Sequence, residues 1–304
     1  MKTYQQLWQS LTPLYDAGEA QAIVRTVLDV KYGMTLTDII CGKVNELSAD
    51  EGIKLEEIIN RLQKGEPVQY VLGQADFAGR TFHVEPGVLI PRPETAELCQ
   101  WIVETQNESV KKNKEYLSKE IGIKEGETVI LDLCTGSGCI AITLSLEIPN
   151  AEVWGIDISE DATDIAAENA VRLGSRASIC TEDIFDLLQK AKENRVDELF
   201  GIVDIIVSNP PYICEKEKAD MEKNVLDYEP DIALFVPDED PLKFYRAIAE
   251  FASLQLRHKG LLYFEINPLY EKETREMLEG FGFRDIETKE DSFGKKRMMR
   301  ATKK

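Results

Sequence analysis

The chain has 304 residues, 43% hydrophobic and 30% charged, which gives enough apolar material for one large domain or two ordinary ones. Lys and Arg number 36 against 55 Asp and Glu, a formal net charge of −19. That balance argues against a broad phosphate-binding surface, since nucleic-acid affinity rests on cations that release counterions, and it favours protein or small-molecule substrates.

Residues 1–66 are expected to form a small helical domain. Leu7, Leu11 and Leu14 recur at helical spacing, as do Ile23, Val27 and Val30. Ser48 followed by Glu51 is a capping-box pattern, opening a helix that should stop at Gly65. No chemical motif falls here. Residues 67–95 are rich in aromatic, β-branched and glycine residues and predict a β-hairpin linker. Residues 96–304 then read as the catalytic domain. Its Lys-rich stretch KKNKEYLSKEIGIKEGE is expected to be a solvated helix or linker.

From Thr128 strands and helices alternate. TVILDLC, EVWGIDIS, ASICTEDI, VDIIVSN and GLLYFEIN are the strands, with helices at 160–173, about 241–256 and 269–278. The late segments RDIETKED and KKRMMRATK predict a hairpin at one sheet edge. Alternation of this kind indicates an α/β fold with a parallel sheet covered on both faces.

Six cysteines form no Cys-x-x-Cys pair, and His83 and His258 are the only histidines, so no metal site is expected and the thiols read as reduced. No apolar run approaches a membrane span, and the first twenty residues lack the basic start and apolar stretch of a secretory leader. Cytoplasmic residence is the expectation.

The candidate cofactor residues lie at three successive strand ends. The first strand runs into Cys134, Thr135, Gly136, Ser137 and Gly138, a turn whose glycines permit a close backbone approach and whose amides should be free at the next helix start. A lone Gly-x-Gly is often only a structural turn. Asp157 ends the next strand, placed to hold a ribose diol, although it could merely cap the helix that follows. Asp183 ends the third; it could accept from an adenine amine, with Ile184 and Phe185 packing near the base. In this order the three point to an adenosine-containing ligand. NAD would need Gly-x-Gly-x-x-Gly, and Ala141 breaks that spacing.

The fourth strand runs into Asn209-Pro210-Pro211-Tyr212. Two prolines fix the backbone and cannot donate hydrogen bonds. The Asn209 side-chain oxygen and the Pro210 carbonyl thus offer two acceptors for the N–H bonds of an amide or exocyclic amine. Tyr212 is expected to supply an aromatic wall. Orientation of the nitrogen lone pair would then activate a poor nucleophile without a strong general base. A rigid Pro-Pro loop without chemistry is the bland alternative.

These motifs, together with PVQYVLGQADFAGRTFHVEPGVLIPRPET and YEPDIALF, resemble the release-factor glutamine methyltransferases (the PrmC/HemK family) over nearly the whole chain. The resemblance implies a Rossmann-like seven-stranded class I methyltransferase sheet, a helical N-terminal substrate-recognition domain and a hairpin linker. It implies S-adenosyl-L-methionine as cofactor, held by Cys134 to Gly138, Asp157 and Ile184. It implies that Asn209 to Tyr212 hold the glutamine amide of a Gly-Gly-Gln loop in class-1 peptide chain release factors. It places Arg92 and Glu94 near the cofactor entrance. Cys134 and Asn267 stand where the family commonly has glycine, and Ala96 where it often has glutamate. The rival readings are a nucleic-acid amino-methyltransferase, disfavoured by charge, and a noncatalytic cofactor-binding module. No nucleic-acid or membrane partner is expected, and the sequence leaves the oligomeric state open, with a monomer as the default.

Overall fold

The computed structural model describes residues 2–117, 128–195 and 200–304, with side chains described except at 109–117. The chain forms two compact units. One comprises Met1–Gln74, Val84–Pro86 and Met221–Glu229; the other comprises Ala75–His83, Gly87–Asp220 and Pro230–Lys304.

The first unit holds helices α1 (Tyr4–Gln9), α2 (Ala17–Tyr32), α3 (Leu36–Ile40), α4 (Ala49–Leu62) and α5 (Val68–Leu72). Leu7, Leu11, Val24, Val27, Leu55 and Ile59 fill its core. Leu14 and Val30, which share the helical spacing, stay partly in solvent at 53% and 36% exposed. The capping box forms: Ser48 N–H donates to Glu51 at 2.8 Å and Glu51 N–H to Ser48 Oγ at 3.3 Å. The stretch expected to begin a hairpin is instead α5, one helical turn closed by Gly73 at φ +72°. Tyr70, Val71 and Leu72 are all buried, so the short helix seats several apolar side chains at once, and its β-branched texture imitates a strand. The helix Lys223–Tyr228, far away in sequence, also belongs here; the Tyr228 hydroxyl donates to the Lys64 carbonyl at 3.0 Å.

The hairpin itself is short: β1 (Gln74–Phe77) and β2 (Arg80–His83), joined by Ala78 and Gly79 at φ +48° and +74°. Both φ values are positive, as a two-residue turn of the favoured twist requires. Phe77 and Phe82 meet edge-on at 5.8 Å and pack beside Leu98 and Ile102 of α6 (Pro93–Leu117), which opens on a proline where the missing N–H costs nothing. The first seven residues of the Lys-rich stretch continue α6; 118–127 lie outside the described residues.

The second unit is built on a seven-stranded sheet. Its strands are β3 (Thr128–Leu133), β4 (Ala151–Asp157), β5 (Ser178–Thr181), β6 (Val203–Ser208), β9 (Leu256–Glu265), β10 (Arg284–Glu290) and β11 (Lys296–Thr302), in the order β10-β11-β9-β6-β3-β4-β5. A separate pair, β7 (Ile213–Cys214) and β8 (Phe235–Val236), follows β6 in the chain. The five strands from β9 to β5 are parallel, and β11 and β10 close one edge antiparallel, as the predicted late hairpin. Helices α7 (Cys139–Glu147), α8 (Glu160–Leu173) and α9 (Ile184–Lys192) alternate with the strands. One apolar cluster joins Leu131, Ile206 and Phe264 to the helix Lys243–Gln255; the other joins Ile130, Ile205 and Tyr263 to α6 and α7. Successive residues of the central strands thus enter opposite cores, which is why these strands read as unbroken apolar runs.

One buried polar residue ties the hairpin to the sheet. Asn169 on α8 is 0% exposed. It accepts from His83 N–H at 2.6 Å and donates to the carbonyls of His83 at 2.9 Å and Ser137 at 3.0 Å. Asn169→Ala removes these three hydrogen bonds. It is expected to lower unfolding free energy by about 2–4 kcal/mol, measured by urea denaturation, at about 0.5–1.5 kcal/mol for each bond lost.

Candidate active site

The sheet order places the site. From β3 the chain moves outward through β4 and β5, then returns to β6 on the other side of β3. Open parallel sheets bind ligands at such a switch, beyond the carboxyl ends of the strands. Register aligns those ends: Leu133 pairs with Ile156 and with Ser208, and Ser208 pairs with Phe264. The next residues, Cys134, Asp157, Asn209 and Glu265, therefore stand abreast along one edge.

The turn after β3 is tightly built. Cys134, Gly136 and Gly138 have φ of +63°, +54° and +79°. The left-handed conformation that glycine supplies cheaply is thus imposed on a cysteine here. Gly138 is needed for space as well, since a Cβ there would stand 2.8 Å from Ile142 Cδ1 and 3.0 Å from Ala166 Cβ. The expectation that the turn amides are free fails for three of them. Thr135 N–H donates to the Ile156 carbonyl at 3.0 Å, Gly138 N–H to Thr135 at 2.9 Å, and Gly136 N–H to Asp157 Oδ2 at 2.8 Å. Asp157 Oδ1 accepts from Ser159 N–H at 3.0 Å, so this carboxylate also steadies the start of α8.

A cavity of about 390 Å³ opens at this edge. Cys134, Thr135, Gly136, Ser137, Asp157, Asp183, Ile184, Asn209 and Pro211 line it. Gly138, Pro210 and Tyr212 do not. Gly138 sits beneath the turn against α8, and Tyr212 turns its hydroxyl to Glu265 rather than forming a cavity wall. Arg92 lines the cavity, whereas Glu94 does not, and neither His83 nor His258 does. Asp183 caps α9, accepting from Phe185 N–H at 2.8 Å. Side chains that sequence reasoning missed complete the wall: Leu89, Pro91 and Thr95 before and within α6, and Lys243 with Phe244. Phe185 and Phe244 are 5.8 Å apart, with the Lys243 ammonium 5.3 and 5.4 Å from their ring centres.

The donor set suits an adenosine sulfonium. Apolar and aromatic walls fit a base, and Asp157 and Asp183 are acceptors for hydroxyl and amine hydrogens. A Cβ on Gly136 would meet no protein atom within 4 Å, so open space lies against its backbone.

Burial raises the pKa of Asp157 from its ordinary value, against the amides of Ser159 and Gly136 that hold it down. Burial likewise pushes the Cys134 and Cys139 thiols upward, which leaves them protonated and unreactive. Asp132 lies beneath the turn. Its Oδ2 accepts from Thr135 Oγ1 at 2.5 Å and Ala141 N–H at 3.0 Å, while Oδ1 has no hydrogen-bond partner among the described residues. Burial lifts its carboxyl from the ordinary 3.8 to about 7, and the two hydrogen bonds oppose the rise. The native state therefore keeps a proton that the unfolded chain has released. Its contribution is complete below about 3.8 and is lost as pH rises to about 7. The slope in that window is about 1.4 kcal/mol per pH unit for one proton. Asp132→Asn is expected to remove this slope, read as unfolding free energy at several pH values for both proteins.

At the acceptor end, Asn209 Nδ2 donates to Thr95 Oγ1 at 3.3 Å, and Thr95 Oγ1 donates to Glu265 Oε2 at 2.6 Å. Glu265 Oε1 accepts from the Tyr212 hydroxyl at 3.0 Å, which in turn accepts from Arg297 at 3.3 Å. Asn267 donates to the Tyr212 carbonyl at 3.1 Å and to Glu217 at 3.0 Å, a use for a side chain where glycine would offer none. Burial raises the pKa of Glu265, with Thr95 and Tyr212 bonding and Arg297 opposing the rise. Sequence reasoning missed these roles for Thr95, Glu265 and Arg297. Among the described residues, no group of three or more His, Cys, Asp or Glu side chains is arranged to hold a metal, and no helix is long and apolar enough to cross a membrane.

A glycine turn and an Asn-Pro-Pro-Tyr strand end at the switch point of this seven-stranded mixed sheet define a class I methyltransferase. Residues 124–249 match the family model of a methyltransferase domain, and residues 12–73 match that of the PrmC N-terminal domain. The release factor glutamine methyltransferase of Bacteroides thetaiotaomicron is 45% identical over 296 residues, covering 97% of each chain. That of Flavobacterium psychrophilum is 38% identical over 99% of this chain and 98% of its own. That of Bacillus subtilis is 32% identical over 98% and 96%. The chain belongs to the release factor glutamine methyltransferase family.

Proposed function

We propose that this protein methylates N5 of the glutamine side-chain amide in the Gly-Gly-Gln loop of class-1 peptide chain release factors, in the cytoplasm and as a monomer. When bound, S-adenosyl-L-methionine supplies a methyl group on a positively charged sulfur. Cys134 to Ser137, on the turn that Gly138 closes, and Asp157 would hold the cofactor's amino-acid and ribose parts, and Asp183 with Ile184 would hold the base. The Asn209 side-chain oxygen and the Pro210 carbonyl accept the two N–H bonds of the glutamine amide, so its lone pair is aimed at the methyl. Transfer would form the N–C bond as the cofactor's S–C bond breaks, with the surplus proton released to water. The absence of histidine from the cavity wall fits a transfer without a prior base.

The observation that carries this reading is the register of β3 and β6. It sets Asn209 beside the glycine turn, with the amide nitrogen of Asn209 occupied by Thr95. Pocket chemistry recognises only the amide, so choice among proteins must come from surface elsewhere. The helical unit, including Met221–Glu229, and the short hairpin are the surfaces we assign to that task.

The test combines the full chain with labelled cofactor and three substrates: an intact release factor, its loop Gln→Glu variant and duplex DNA. Mass spectrometry should find one methyl on the loop glutamine and none on the other two. Methylated adenine, or equal turnover of a short Gly-Gly-Gln peptide and the whole factor, would overturn the reading.

A further inference from the structure

One buried carboxylate braces both ends of the Asn-Pro-Pro-Tyr segment. Glu265 is 2% exposed and stands beside Asn209 because β9 pairs with β6. Its Oε2 receives Thr95 and its Oε1 receives Tyr212. Asn267 holds the Tyr212 carbonyl from the other side, and Arg297 reaches the Tyr212 hydroxyl while donating to Asp291 at 3.0 Å.

The consequence for Asn209 follows from counting hydrogens. A threonine hydroxyl has one hydrogen, and Glu265 is placed as an acceptor on both oxygens, receiving Thr95 on Oε2 and, on Oε1, the Tyr212 hydroxyl whose own lone pair faces Arg297. Thr95 gives that hydrogen to Glu265 at 2.6 Å, so only lone pairs remain on Thr95 Oγ1 for its contact with Asn209 at 3.3 Å. The Asn209 atom facing Thr95 must therefore be the nitrogen. The two ends of an asparagine amide have nearly the same shape, so packing alone does not choose between them and bonding does. With the nitrogen turned to Thr95, the oxygen faces the cavity that Asn209 lines. The opposite flip would present an N–H to a substrate N–H.

We infer that Thr95 and Glu265 are positioning residues that set the Asn209 amide with its oxygen toward the methyl-accepting nitrogen. The inference rests on the proposed role of Asn209 as an acceptor for the glutamine amide. It gives the strand-end glutamate, which is not on the cavity wall, a function exerted through Thr95, which is. Thr95, 2% exposed, is the link through which a carboxylate out of reach of the substrate governs the group that touches it.

Two variants of the full-length protein test this. Thr95→Val keeps the shape and removes the hydroxyl; Thr95→Ser keeps the hydroxyl. Thr95→Val is expected to lower kcat on the release factor at least tenfold with little change in its KM. Thr95→Ser is expected to recover the rate to within about threefold of the parent protein. Neutron diffraction of the deuterated parent should show two deuterons on the Asn209 atom facing Thr95. An oxygen facing Thr95, full activity in Thr95→Val, or a Thr95→Ser variant as slow as Thr95→Val would overturn the inference. If the parent protein leaves the release factor unmethylated, the proposed function fails, and the neutron result still decides the amide orientation.

Discussion

Asn209→Ala is expected to leave the fold and most cofactor affinity intact and to lower methyl transfer by roughly a hundredfold or more, the scale for losing one preorganised polar group at a reacting centre. An amide nitrogen delocalises its lone pair into its own carbonyl and is a poor nucleophile. An acceptor fixed at a strand end holds the N–H bonds so that the lone pair points at the methyl, and it needs no reorganisation as charge develops. Asn209 suits this because Pro210 and Pro211 stiffen the backbone that follows it. Its own amide nitrogen is already bonded to Thr95. Truncation to alanine gives up that 3.3 Å bond and little packing, so the loss should fall on the rate. Single-turnover transfer of labelled methyl to a release factor, with cofactor affinity measured alongside, separates the two effects. Near-normal turnover would refute the acceptor role.

Asp157→Ala is expected to weaken cofactor binding by roughly ten- to a hundredfold, because hydrogen bonds to a charged group contribute about 1.5–3 kcal/mol. The loss has two sources. The carboxylate would no longer be present to accept the ribose hydroxyls, and the amides of Gly136 and Ser159 would lose their acceptor. Isothermal calorimetry with the cofactor reads the sum, and an unchanged dissociation constant would remove Asp157 from the site. A urea denaturation curve on the same variant reports how much of the change is loosening of the turn.

The strand ends were legible without coordinates. A parallel strand buried on both faces shows as a continuous apolar run, and the residue where that run stops sits at the sheet edge. Cys134 to Gly138, Asp157, Asp183 and Asn209 were readable for this reason, and all but Gly138 line the cavity. The capping box at Ser48 and the helix Glu160–Leu173 were equally local, since each depends on residues three or four apart. Motif matching extended this, because LIPRPET joined to Asn-Pro-Pro-Tyr is far more discriminating than either piece.

Other features depend on what packs against them. α5 carries Val68, Tyr70 and Val71, a strand-like composition, yet is a helical turn because the helical core accepts Val71 and Leu72 together. The positive φ of Cys134 is imposed by the turn, and the residue type alone would argue against it. The segment Met221–Glu229 joins the helical unit although it follows the Asn-Pro-Pro-Tyr strand end in the chain. Thr95 meets Asn209 across a separation of 114 residues and Glu265 across 170.

The sequence by itself determined the alternating fold and the strand ends that line the cavity, because each is encoded within a few consecutive residues. Only the tertiary structure decided which way the Asn209 amide faces. That depends on the pairing of β6 with β9 and the seating of α6, which bring Glu265 and Thr95 up to Asn209 so that the one hydroxyl hydrogen between them is already spent.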